Sequence, residues 1–97
     1  LAWGRLVESA IGMFLVNAVK GTQISVYYWA SGNNEVDFVL AKGKKVMAVE
    51  VKSSKRRGEL RGIETFSKEF RVNRKLLVGA DGIPVEDFIR SDIQRWF

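Results

Sequence analysis

The sequence predicts an α/β domain: a helix, a three-stranded antiparallel meander, a crossover helix, a fourth strand parallel to its neighbour, and a closing helix. Three observations carry that prediction. Apolar residues recur at helical spacing from Trp3 to Val19, two alternating runs flank a Gly-containing turn, and a short apolar run, Leu76-Leu77-Val78, follows a second helical stretch. A chain of 97 residues has room for a single domain, 1–97, with one core.

The first helix places Trp3, Leu6, Val7, Ala10, Ile11, Phe14 and Ala18 on one face, and Gly21 is its stop. Glu8 falls on the flank of that stripe, where it looks over the sheet edge; an isolated helical Glu is otherwise a surface residue. From Gln23 to Ala30, Ile24, Val26, Tyr27, Tyr28 and Trp29 have strong β propensity, and Ser31 to Asn34 supply a turn. Consecutive aromatics in a strand are usually split between core and outer face, so packing is expected here rather than stacking on bases.

The next two strands hold the chemistry. From Glu35 to Ala41, alternation puts Val36, Phe38 and Leu40 on the core face and Glu35, Asp37 and Val39 on the other. From Val46 to Lys52 it separates Met47, Val49 and Val51 from Val46, Ala48, Glu50 and Lys52. If Gly43 and Lys44 are the central pair of the turn, Lys42 faces Lys45, and counting back sets Asp37 opposite Glu50. Two carboxylates about 5 Å apart repel by on the order of 3 kcal/mol at an effective dielectric near 20. Lys52 neutralises one charge, whereas a hard divalent cation satisfies both, and oxygen ligands suit Mg²⁺ or Mn²⁺. The chain has no His or Cys to favour zinc. The plainer alternative is an ion-paired hairpin with both carboxylates solvated at a strand edge.

Ser53-Ser54-Lys55-Arg56-Arg57-Gly58 is a polar, basic loop that begins where this site ends. Its cations can grip a phosphate backbone, with Ser53 and Ser54 donating hydrogen bonds; the plainer alternative is a solvated loop. The helix after it, Glu59 to Phe70, buries Leu60, Ile63, Phe66 and Phe70 and projects Arg61 and Lys68 to one side. Asn73 to Gly79 reads as a buried strand reached by a helical crossover and hence parallel to its neighbour. Asp81-Gly82 is a turn, Pro84 suits a first helical position, and Val85, Phe88, Ile89, Ile93 and Trp96 form the stripe of one closing helix.

Composition narrows the function classes. Hydrophobic content of 46% with 28% charged residues and one Pro is that of an ordinary globular domain. The lack of Cys removes any disulfide framework and fits a reducing cytoplasm, the expected location. No apolar run reaches the length of a membrane span, so no membrane partner is expected. A net charge of +5 favours a phosphate-bearing partner as much as it favours plain solubility. No Gly-rich phosphate loop of the Walker type is present.

Asp37 followed by Glu50-Val51-Lys52 in the next strand resembles the signature of the PD-(D/E)xK superfamily, the restriction-endonuclease-like nucleases, although the Pro that precedes the Asp in that family is absent. The runs GRLVES, YYWASGNNEVDFVL, AVEVKSS, LLVGADGI and VEDFI are together similar to the domain that follows an AAA-type ATPase module in many bacterial and archaeal chains. The resemblance implies a restriction-endonuclease-like αβββαβ core and Mg²⁺- or Mn²⁺-dependent hydrolysis of DNA phosphodiesters. It implies that Asp37, Glu50 and the Val51 carbonyl hold the metal, that Lys52 orients water or stabilises developing charge, and that Glu8 completes the ligand set. Ser53, Lys55, Arg56, Arg57 and Arg61 would bind the nucleic acid. It further implies an ATPase module in the same chain, of which this sequence, beginning with Leu, is expected to be the C-terminal piece, and a homo-oligomer is compatible with it. The alternative is a nucleic-acid-binding or protein-interaction module attached to such an ATPase, without turnover.

Overall fold

A computed structural model describes residues 2–31, 34–52, 61–79 and 82–97. The elements run α1 (Ala2–Ala18), β1 (Ile24–Ser31), β2 (Asn34–Lys42), β3 (Lys45–Val51), α2 (Arg61–Glu69), β4 (Arg74–Val78), α3 (Val85–Ile89) and a 3₁₀ turn (Ile93–Trp96). The four strands form one sheet in the order β1-β2-β3-β4. The first three pair antiparallel as a meander, and β4 joins β3 in parallel, as a strand reached through a helical crossover must.

Helices cover both faces of the sheet. On one face Ile11 and Leu15 of α1 and Phe88 of α3 pack with Leu40, Met47, Val49, Leu76 and Val78. On the other, Ile63 and Phe66 of α2 pack with Val36, Val39 and Ala48. The alternation of β3 reads directly onto this arrangement, with Met47 and Val49 in the first cluster and Ala48 in the second. No helix among the described residues is long and apolar enough to cross a membrane.

Four expectations are corrected. Val36 does not share a face with Phe38 and Leu40 but packs with Val39 under α2. The cause is a bulge: Tyr27 pairs with Val39 and Trp29 with Val36, so Tyr28 alone lies across from both Asp37 and Phe38, and alternation slips by one. In α1 the buried stripe is rotated from the expected one, since Leu15 is fully buried while Leu6 is 62% exposed and Ala10 lies outside. Leu6, Met13 and Val16 give the helix a second apolar side, so periodicity alone does not select the buried one. The β1 aromatics divide between core and outer face as expected: Trp29 packs inward, edge to face with Phe66 at 5.2 Å, while Tyr27 and Tyr28 stay exposed on the sheet's edge strand.

The closing helix is also broken. Ser91 Oγ donates to the Phe88 carbonyl, and the Asp92 side chain accepts the Gln94 N–H at 3.0 Å, so side chains take over backbone partners and a new 3₁₀ turn starts at Ile93. Pro84 sits one position earlier than expected, as the N-cap of α3 with ψ 137°.

Candidate functional site

The β2–β3 hairpin sets the site. Gly43 has φ 60°, Lys42 pairs with Lys45, and the ladder continues through Phe38 and Val49. One further step along that register brings Asp37 and Glu50 together where the ladder ends. The bulge in β2 falls at Asp37 and Phe38, across from Tyr28, so the Asp37 backbone lies outside the regular pairing with β1. Asp37 Oδ2 accepts the Val51 N–H at 2.7 Å, a short hydrogen bond of the kind made by a charged acceptor.

Both carboxyl groups are withdrawn from water, with Asp37 8% and Glu50 4% exposed; they are the buried charged residues of the described chain. Lys52 Nζ lies 3.7 Å from Glu50 Oε2 and keeps partial contact with solvent. Burial pushes the Glu50 carboxyl from its ordinary 4.5 up to about 8. A hydrogen bond with the Asp37 side chain and the charge of Asp37 push the same way, and the Lys52 ammonium opposes them without prevailing. At neutral pH Glu50 therefore keeps its proton beside the Asp37 side chain.

Lys52 is fixed by its backbone. Its N–H donates to the Val78 carbonyl at 2.9 Å, just past the end of the parallel β3–β4 ladder. The next residue of β4's exit, Gly79, has φ 91°, and a Cβ there would lie 2.0 Å from the Lys52 carbonyl oxygen. Only glycine permits both that backbone conformation and that approach. Gly79 is thus a residue of the site that sequence reasoning passed over, although the Val-Gly step at the end of a parallel strand was visible.

Glu8 is exposed on α1 and, with Ser9, Gly12 and Phe38, lines a groove of about 530 Å³ alongside β2. Among the described residues no three acidic side chains form a group able to hold a metal ion. Ser53, Lys55, Arg56 and Arg57 lie outside the described residues, as does the side chain of Arg61, which opens α2.

The donor set suits a hard divalent cation: Asp37 and Glu50 offer only oxygen, and the chain has no His or Cys. Apart from a metal, the pair is a buried proton store beside a lysine.

Comparison with known proteins gives two matches. A family model described as a domain of unknown function (DUF4143) covers residues 3–89. A UPF0102 protein of Prochlorococcus marinus (strain MIT 9303) is 34% identical over 61 residues, which is 62% of this chain and 48% of that protein. The chain spans about half the length of this curated relative. No solved structure matches the chain.

Proposed function

We propose, for a chain that belongs to the DUF4143 family, that Asp37 and Glu50 bind Mg²⁺ or Mn²⁺ and act with Lys52 to hydrolyse phosphodiester bonds in DNA, on the plan of the PD-(D/E)xK nucleases. The observation that carries this reading is the buried Asp37–Glu50 pair with Lys52 Nζ 3.7 Å from Glu50. The mixed sheet, with its antiparallel meander and one parallel strand between helical layers, accommodates a restriction-endonuclease-like core.

A bound Mg²⁺ or Mn²⁺ supplies Lewis-acid polarisation of the phosphoryl oxygen and lowers the pKa of its water. Glu50, once deprotonated, and Asp37, oriented by the Val51 N–H, would hold the ion. In this reading the Val51 carbonyl and Glu8 would complete the ligand set. Lys52, anchored through Val78 and the close approach of Gly79, holds its ammonium beside the carboxylates, where it orients the attacking water and offsets negative charge developing on the phosphate. Ser53, Lys55, Arg56, Arg57 and Arg61 grip the DNA backbone in this reading, and an AAA-type ATPase module is the partner in the same chain.

A second reading, a module that binds nucleic acid or protein for such an ATPase without turnover, draws support from the exposure of Glu8 away from any three-carboxylate group among the described residues. Incubation with supercoiled plasmid separates the two. The hydrolytic reading expects nicking with Mg²⁺ or Mn²⁺ that stops in EDTA and falls at least about a hundredfold in Lys52→Ala with binding retained. Activity that persists in chelator, or equal rates for wild type and Lys52→Ala, refutes it.

A further inference from the structure

The hairpin turn lies at the opposite end of β3 from Glu50, about 17 Å away at the rise of a strand. There Lys45, Met47, Asn73, Arg74, Trp96 and Phe97 line a cavity of about 230 Å³. Its walls are tied down from three sides. The Val46 N–H donates to Asn73 Oδ1 and the Asn73 N–H to the Val46 carbonyl, both at 2.8 Å. Lys42 Nζ donates to Gln94 Oε1 at 3.0 Å, joining the turn to the 3₁₀ segment. Trp96 Nε1–H donates to Ser91 Oγ at 2.9 Å, and its ring lies 6.1 Å from that of Phe88.

The polar side chains of this cavity are all donors. With Asn73 Oδ1 occupied by Val46, the end of that carboxamide left for a ligand is its NH₂ group. Lys45 and Arg74 are exposed cations, and among the described residues neither has a carboxylate within ion-pair distance. Such a set selects an anion, and the arginine favours phosphate oxygens. The half-buried Trp96 ring adds an apolar surface beside the charges, which suits a planar ring attached to that anion. The volume falls below the roughly 300–1,000 Å³ usual for whole-ligand pockets, so the cavity takes one unit of a molecule rather than a long stretch.

We propose that this cavity is a nucleotide-binding site, in which Lys45, Arg74 and the Asn73 amide hold a terminal phosphate monoester and the attached base rests against Trp96. The ligand is either a free mononucleotide or the phosphorylated end of a nucleic-acid strand. The site is independent of hydrolysis at Asp37 and Glu50, neither of which lines it.

The test is ¹H–¹⁵N NMR in EDTA, with wild type and a Lys45→Ala/Arg74→Ala variant titrated with AMP, a 5′-phosphorylated oligonucleotide, the same oligonucleotide without the phosphate, and inorganic phosphate. AMP and the phosphorylated strand should move the Trp96 indole and Asn73 carboxamide signals. The double variant should bind them about tenfold more weakly or worse. Tighter binding of the strand than of AMP identifies a nucleic-acid end as the source, and equal or tighter binding of AMP identifies the free nucleotide. If the double variant does not fold, Lys45→Ala alone should still weaken binding at least about threefold. Unmoved Trp96 and Asn73 signals, unchanged affinity in the variants, equal binding of the unphosphorylated strand, or inorganic phosphate binding as tightly as AMP would each overturn the proposal.

Discussion

Replacing Glu50 by Gln should make the metal-free domain more stable at neutral and alkaline pH and leave it nearly unchanged in acid. In the folded chain the Glu50 carboxyl titrates at about 8, against 4.5 when unperturbed. Between those values the folded state carries a proton that the unfolded state has released, so stability falls as pH rises. The Glu50 contribution is fully present below about 4.5, declines by about 1.4 kcal/mol per pH unit, and is gone above about 8. The whole interval amounts to on the order of 5 kcal/mol, comparable to the net stability of a small domain. Solvent screening reduces this little, because Glu50 is 4% exposed. Gln has the shape of protonated Glu and never ionises. Urea melts of wild type and Glu50→Gln at pH 5, 6, 7 and 8 in EDTA should therefore diverge steadily with pH, while the other carboxyl groups titrate alike in both and cancel. Parallel pH profiles for the two proteins would refute the buried, protonated pair.

Mn²⁺ affinity should rise about tenfold per pH unit from pH 6 to 8, since binding must displace the Glu50 proton, and calorimetry across that range checks it. Gly79→Ala should destabilise by at least about 2 kcal/mol in denaturant melts, from the positive φ and the contact with the Lys52 carbonyl combined, and should weaken Mn²⁺ binding as well. Leu15→Ala should cost about 2–5 kcal/mol while Leu6→Ala changes stability by less than about 0.5 kcal/mol, a contrast that thermal melts resolve. Neutralising Lys55, Arg56 and Arg57 together should flatten the salt dependence of DNA binding by up to about three charges' worth, measured by fluorescence titration.

The hairpin was legible because Gly43 fixes the turn, and a two-residue turn fixes every pairing beyond it. Counting from Lys42 and Lys45 is enough to bring Asp37 alongside Glu50. The parallel β4 was legible from an apolar run that follows a helical crossover. The bulge in β2 opposite Tyr28 was not, because no local pattern shows that Val36 belongs under α2. The rotation of α1 was hidden for a related reason: a helix with apolar residues on more than one side is oriented by the sheet it meets. Gly79 owes its role to a backbone 27 positions away in sequence, that of Lys52, and such a contact leaves no trace in local spacing. The protonation of Glu50 depends on how deeply the pair is buried, which register alone does not give.

Anomalous diffraction from crystals soaked in Mn²⁺ tests the central claim most directly. A peak within coordination distance of both Asp37 and Glu50, lost in Glu50→Gln crystals, is the result expected of a metal-binding pair. No peak at that position, at a pH above 8 where Glu50 has lost its proton, would contradict it.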